Sequence, residues 1–253
     1  MPEVFDENTV VIEFSDLYQA GQLQFEKGLQ EHPQLRRIWQ DYRSQLLLVM
    51  LTLEDEDGEL ERVQQTGVFV SDGQYILTAA HGFLLEDCQL IDLKARTVSG
   101  VELPLDVVRL YYDKEGWKVD DWAILRPSVF TTPEGVFPEN KKSGGGPVLI
   151  MGFPGGLGLN EQGIVERANE LGLETVMPLG IICDRILMKP QTLRPIAGAI
   201  PIRGISGAPV LDQNGGLIGL FSSVSRTNSS GGWGYIFGMS DIPWKTLDSL
   251  SKN

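Results

Sequence analysis

Three short segments constrain the fold most tightly: Thr78-Ala79-Ala80-His81, Asp120-Asp121-Trp122-Ala123-Ile124-Leu125 and Gly204-Ile205-Ser206-Gly207-Ala208-Pro209-Val210. Each sets a polar side chain against an apolar run, at the point where the local pattern breaks. In the last, a serine stands between two glycines and is followed by Ala-Pro-Val. Glycine lets a backbone take positive φ and come close to a ligand. A turn that presents a nucleophile while aiming N–H groups at a developing oxyanion needs both properties. Gly-Ser-Gly alone also fits a plain surface turn, so the other two segments carry the decision. His81 closes a stretch, Thr66 to Thr78, that reads as strand, Asp72-Gly73 turn and strand. Its two small predecessors leave it room to stand in a cleft. Asp121 sits at the mouth of an apolar strand, where burying a carboxylate is costly unless a donor meets it. A histidine N–H is the obvious donor, and Asp120 reads as its solvated neighbour.

Serine is a poor nucleophile at its own pKa and needs an adjacent base. In this chain His81 would take the Ser206 proton and return it to the leaving group, with Asp121 holding the imidazole tautomer. The backbone N–H groups of Gly204 and Ser206 would form the oxyanion hole. The order is His81, Asp121, Ser206, at spacings of 40 and 85 residues. α/β-Hydrolases run Ser, acid, His and subtilisins run acid, His, Ser. Position 208 is alanine, so the G-x-S-x-G elbow is also missing.

Taken together, the three segments resemble the trypsin/chymotrypsin-like serine protease superfamily. Thr78 to His81 matches its "TAAH" signature, and its Asp-(apolar)-Ala-(apolar)-Leu pattern favours Asp121 over Asp120. The run Val148 to Pro154 resembles the "GxP" strand end of bacterial members. The resemblance spans residues 45–250. It implies an all-β, chymotrypsin-like fold of two six-stranded barrels, and a serine endopeptidase working through an acyl-enzyme. It also implies a substrate pocket built from Ile200, six residues before the nucleophile, with Ser222 and Gly234 on neighbouring strands. Residues 195–203 hold no acid, so an apolar or small P1 side chain is expected, unless Asp184 reaches the pocket from a neighbouring loop. Two departures are informative. Zymogen-activated members carry Asp just before the nucleophile to pair with a freed N-terminus, whereas this chain has Ile205. Nothing after the barrels resembles the PDZ module of many bacterial relatives.

The remaining sequence divides into an extension, residues 1–44, and a protease-like domain, residues 45–253. Barrel one is expected near 45–135 and barrel two near 146–240, joined by the Pro- and Gly-rich stretch 126–146. In the extension, Val10 to Phe14 reads as a short strand and Ser15-Asp16 as the cap of a helix through Leu29. After His32-Pro33, a second helix from Gln34 to Arg43 carries Leu35, Ile38, Trp39 and Tyr42, and His32 reads as a surface residue. Leu46 to Leu53 predicts a strand, followed by the acidic tip Glu54 to Glu59. That tip is too compact for the spaced ligands of a Ca²⁺ loop. After His81 a polar connection is expected, then Val101 to Tyr112 predicts a strand pair broken at Pro104, with a loop from Asp113 to Val119. Further strands are expected at Val148–Pro154, Glu174–Met177, Leu179–Met188, Leu217–Ser223 and Trp233–Gly238, with a loop at 155–163. A last helix, Asp241 to Ser251, carries Ile242, Trp244, Leu247 and Leu250.

Composition bounds the partners. A net charge of −13 disfavours nucleic acid and anionic membrane, which an acidic surface repels. With 42% hydrophobic residues the chain can build a core without a metal or disulfide staple, and no cofactor is called for. Cys88 and Cys183 both read as buried free thiols. The first residues lack a basic segment followed by an apolar run, and no stretch approaches a membrane span. These features predict a cytoplasmic protein, and the resemblance implies a bacterial one acting on protein or peptide, with residues 1–44 open to a regulatory partner. Two other readings share the motifs: a latent protease-fold module docked through residues 1–44, and an esterase using the same triad.

Overall fold

Leu46 to Leu53 shows why the chain folds as it does. The odd residues Leu47, Val49 and Leu51 point into one apolar core and the even residues Leu46, Leu48 and Met50 into another. A strand buried on both faces reads as a continuous apolar run. The computed structural model describes residues 14–115, 118–129, 135–138, 146–153, 178–185, 191–198, 204–229 and 232–252. In it, β1 (Leu46–Glu54), β2 (Leu60–Val70), β3 (Tyr75–Thr78), β4 (Gln89–Thr97), β5 (Glu102–Glu115) and β6 (Lys118–Pro127) close a barrel in the order β1-β2-β3-β6-β5-β4. A second barrel runs β10-β11-β12-β9-β8-β7. Its strands are β7 (Val148–Gly152), β8 (Leu179–Arg185), β9 (Thr192–Gly198), β10 (Pro209–Leu211), β11 (Leu217–Ser229) and β12 (Gly232–Ser240). The pairs in both are antiparallel.

Each barrel has its own filling. Leu47, Val49, Phe69, Ile76, Ala123 and Leu125 are among the residues packed inside the first. Val148, Ile150, Ile181, Val210, Phe221 and Phe237 belong to the second. A third cluster joins the outer faces of both to the helices. Phe137, fully buried, crosses between barrels: its N–H donates to Phe69 O at 3.0 Å, and Pro138 O accepts from Leu217 N at 3.0 Å.

The extension forms α1 (Phe14–Glu31) and α2 (Pro33–Tyr42). Helix α1 includes Ser15, which therefore does not cap it, and Phe14, the last residue of the strand expected from Val10; residues 10–13 of that strand lie outside the described residues. Phe25, Leu29, Leu35 and Ile38 are buried in the shared cluster. Helix α1 lies on β8 and β9 so closely that a Cβ at Gly28 would come within 2.6 Å of Ala197 Cβ. The Phe25 ring sits over Gly180 and meets Trp39 edge-on at 4.9 Å. The apolar side of the described extension is therefore occupied by its own chain. At the other end, α3 (Trp244–Leu250) adds Leu247 to the same cluster, with Ile242, Trp244 and Leu250 against it.

Four expectations change. The segment after His81 contains a full strand, β4, whose outward Asp92, Lys94 and Arg96 disguise it as a polar connection. Pro104 does not break β5; it lies opposite Lys94 at the last position of the β4–β5 pairing, so no ladder bond is lost beyond it. Much of the stretch 113–119 is strand, because β5 and β6 keep pairing out to Glu115 and Lys118. Cys88 is only half-buried, while Cys183 is fully buried, and both are free thiols. Burial pushes the Cys183 thiol strongly up. The expected strand at 174–177 and the loop at 155–163 lie outside the described residues.

The acidic tip is a hairpin turn in which Asp55 Oδ1 accepts from Asp57 N at 3.0 Å and Glu59 N at 2.8 Å. Among the described residues, no group of His, Cys, Asp and Glu is arranged to hold a metal, and no helix is long and apolar enough to cross a membrane.

Candidate active site

His81 opens the single turn that follows β3, and Asp121 lies on β6, the strand paired with β3. Thr78 stands opposite Ala123, so the ladder itself brings Asp121 to the histidine. Asp121 is completely buried, and each oxygen is met by donors. Oδ1 accepts from Ala80 N at 2.7 Å and His81 N at 2.9 Å. Oδ2 lies 2.6 Å from His81 Nδ1 and accepts from Ser222 Oγ at 2.5 Å. The Asp121 N–H donates to Ser240 Oγ at 2.9 Å. Burial alone would push this carboxyl up; the His81 hydrogen bond and charge, with the Ser222 and backbone donors, outweigh it and hold the pKa below the ordinary value. An ionised Asp121 requires the proton of the pair to sit on His81 Nδ1. Nε2 is then left as a base, on a side chain 38% exposed.

Ser206 lies across the seam in the turn before β10. Gly204 has φ +102° and Gly207 φ +78°, values that favour glycine at both places. Close approach enforces the second, since a Cβ on Gly207 would strike Thr66 O and Thr78 Oγ1 and come within 2.7 Å of Ala79 N. The serine turn is thus set directly against the segment ending in His81. Ser206 O accepts from Thr66 N at 2.8 Å, and Gly207 N donates to Phe221 O at 2.8 Å. The next residue, Ser222, is the one that reaches Asp121. Among the described residues, the N–H groups of Gly204 and Ser206 meet no acceptor, and the half-buried Ser206 makes no side-chain hydrogen bond. In free enzymes the nucleophile–base bond is commonly long and tightens with substrate. Ile205 is buried in the core of the second barrel, an apolar anchor beneath the turn.

Of the residues read for the pocket, Ser222 directs its hydroxyl to Asp121, and Gly234 lies on β12 opposite Thr227. Ile200 lies outside the described residues, as do its neighbours to Arg203. Asp184 is engaged by Arg194 at 3.1 Å, across β8 and β9. Two residues of the site escape a sequence reading. Ser240 carries the Asp121 backbone from β12. Thr66 bonds both Gly204 and Ser206, and its only signal is a hydroxyl in the seam-facing stripe that continues as Val68 and Val70.

Two closed six-stranded barrels, with a buried aspartate–histidine pair and a serine turn facing each other across the seam, define a two-barrel, chymotrypsin-like protein. Residues 65–220 match the model of the trypsin-like peptidase domain, more than half of the chain, and the chain belongs to that family. Its fold is similar to that of a serine endoprotease from Yersinia pestis, with 17% identity and a TM-score of 0.50. The match covers 86% of this chain and 65% of the other, so this chain spans less than two thirds of that protein. No curated protein matches the sequence.

Proposed function

We propose that the protein is a serine endopeptidase in which Ser206, His81 and Asp121 form and hydrolyse an acyl-enzyme. The observation that carries this reading is the buried Asp121 carboxylate with its four donors, one of them His81 Nδ1. Asp121 fixes the tautomer, and His81 Nε2 takes the Ser206 proton as Oγ attacks the scissile carbonyl. The tetrahedral oxyanion is received by the Gly204 and Ser206 N–H groups; a single such donor is worth about 10²–10³ in rate. His81 then gives its proton to the leaving amine, and water repeats the sequence on the acyl-enzyme. Ile205 occupies the place of the activating aspartate, and its burial in the barrel core supports a turn that holds without chain cleavage. The absence of an acid from residues 195–203, and the pairing of Asp184 with Arg194, favour an apolar or small P1 side chain.

The test is covalent labelling by a fluorophosphonate of intact protein whose N-terminus is verified by mass spectrometry, alongside Ser206→Ala. Wild type is expected to label and cleave peptides, whereas the variant, equally folded, does neither. Labelling that appeared only after chain cleavage, or that survived in Ser206→Ala, would refute the reading. A positional-scanning peptide library should select apolar or small P1 residues, and strong selection for Lys or Arg would refute the pocket.

A further inference from the structure

We infer that Thr66 is a positioning residue for the oxyanion turn, and that its hydroxyl relays the backbone at the end of β7 to Gly204. The inference rests on the reading of Ser206 as nucleophile. Thr66 belongs to the first barrel, on β2, yet its polar atoms serve the second. It is fully buried. Its hydroxyl donates to Gly204 O at 3.1 Å and accepts from Phe153 N, one residue past β7, at 3.0 Å. Its N–H donates to Ser206 O at 2.8 Å, and its carbonyl accepts from Thr78 Oγ1 at 2.8 Å. Thr78 ends the strand that leads to His81.

Every polar atom of the residue is therefore committed to a segment that carries the chemistry or adjoins it. Buried hydroxyls are costly unless paired, and hydrogen bonds in series polarise one another. The Phe153 N–H, Thr66 hydroxyl and Gly204 carbonyl form such a series. Two bonds from one residue fix the carbonyls of Gly204 and Ser206 on the near side of the turn. Because a carbonyl shares its rigid peptide plane with the next residue's N–H, these bonds lock the planes 204–205 and 206–207, which bracket the plane carrying the Ser206 N–H. Packing around the hydroxyl is close: a Cβ at Gly152 would come within 2.9 Å of Thr66 Oγ1. Valine at this position would keep the shape and the apolar contact. It would also strand the Gly204 carbonyl and the Phe153 N–H without partners.

The experiment compares Thr66→Val and Thr66→Ser with wild type in the full chain, reading kcat, KM and the pH–rate profile on a peptide. Amide exchange at residues 66 and 207, whose N–H groups donate to Ser206 O and Phe221 O, is read in parallel with the ¹⁵N shifts of Gly204 and Ser206. The valine variant is expected to lose tenfold or more in kcat, since small misplacements at a site cost about 10²-fold. KM should stay within about twofold, the midpoint of the pH profile should not move because the Asp121–His81 pair is untouched, and the two amides should exchange faster. Serine restores the hydroxyl and should return most of kcat. If valine fails to fold, Thr66→Ala takes its place with the same expectations. A folded variant lacking the hydroxyl, with wild-type kcat and unchanged exchange at Gly207, overturns the inference, as does a serine variant as impaired as valine. If wild type itself turns over no peptide, the peptidase reading has failed, and amide exchange alone decides whether Thr66 holds the turn.

Discussion

The first barrel carries Asp121 on β6 and His81 on the turn just past β3, its ladder partner, whereas the second carries Ser206 on a turn before a strand of only three residues. The difference lies in what fixes each part. His81 and Asp121 are set by pairing within their own sheet, but Asp121 is also held from outside: across the seam Ser222 on β11 donates to its carboxylate and Ser240 on β12 accepts from its backbone N–H. The serine turn is tied mainly to the other barrel, through Thr66 and the close approach of Gly207 to Thr78 and Ala79. Each barrel thus holds the chemical group of its partner. The registry of nucleophile and base is a property of the seam, and neither barrel could set it alone.

Breaking the first-barrel side should have the largest effect. Asp121→Asn keeps the shape but favours the wrong imidazole tautomer, so kcat should fall by about 10⁴ while the protein stays folded. Peptide turnover measured beside a thermal melt checks this, and a loss under tenfold would mean that His81 needs no carboxylate.

Between the barrels, Leu35→Ala removes a fully buried side chain of α2 from the cluster shared by both. Denaturant unfolding should show a loss of about 2–5 kcal/mol. If turnover at a temperature well below the melt stayed normal, the seam would be shown to hold without the helices at full packing.

The smallest effect is expected from Ser222→Ala, which removes one second-barrel donor from Asp121. A hydrogen bond to a charged group is worth about 1.5–3 kcal/mol. The sign with pH follows from the depressed native pKa of Asp121. Its contribution to stability is complete above the free-carboxylate value, about 3.9, and is lost as pH falls through the lower native value. Without Ser222 the native value moves up towards the free one. The contribution shrinks, and acid unfolding should set in at higher pH than in wild type. An unchanged acid limb would mean that the seam bond is immaterial to the charge.

The sequence shows the fold wherever burial leaves a one-sided or two-sided apolar signature. Leu46 to Leu53 is legible because both faces are covered, and α2 because Leu35, Ile38 and Trp39 share one side. Strand β4 is not, since Asp92, Lys94 and Arg96 point outward along its length and Ile91 is exposed. The short motif around His81 and Asp121 is legible because the costly groups sit beside the apolar strands that bury them. Thr66 and Ser240 are illegible for a physical reason: each is an ordinary hydroxyl whose partner stands more than a hundred residues away in the chain.

The seat of α1 has a consequence for the order in which the molecule can be made. Phe25 and Gly28 leave the ribosome long before Gly180 and Ala197, the residues they rest on, have been synthesised. The apolar side of both helices must therefore wait, uncovered, while the first barrel closes, and such exposure is where nascent chains associate wrongly. The surface of α1 that finally caps β8 and β9 is also an apolar surface that a chaperone could meet during synthesis. Docking of α1 is thus a late event, in which a segment made before either barrel seals the second.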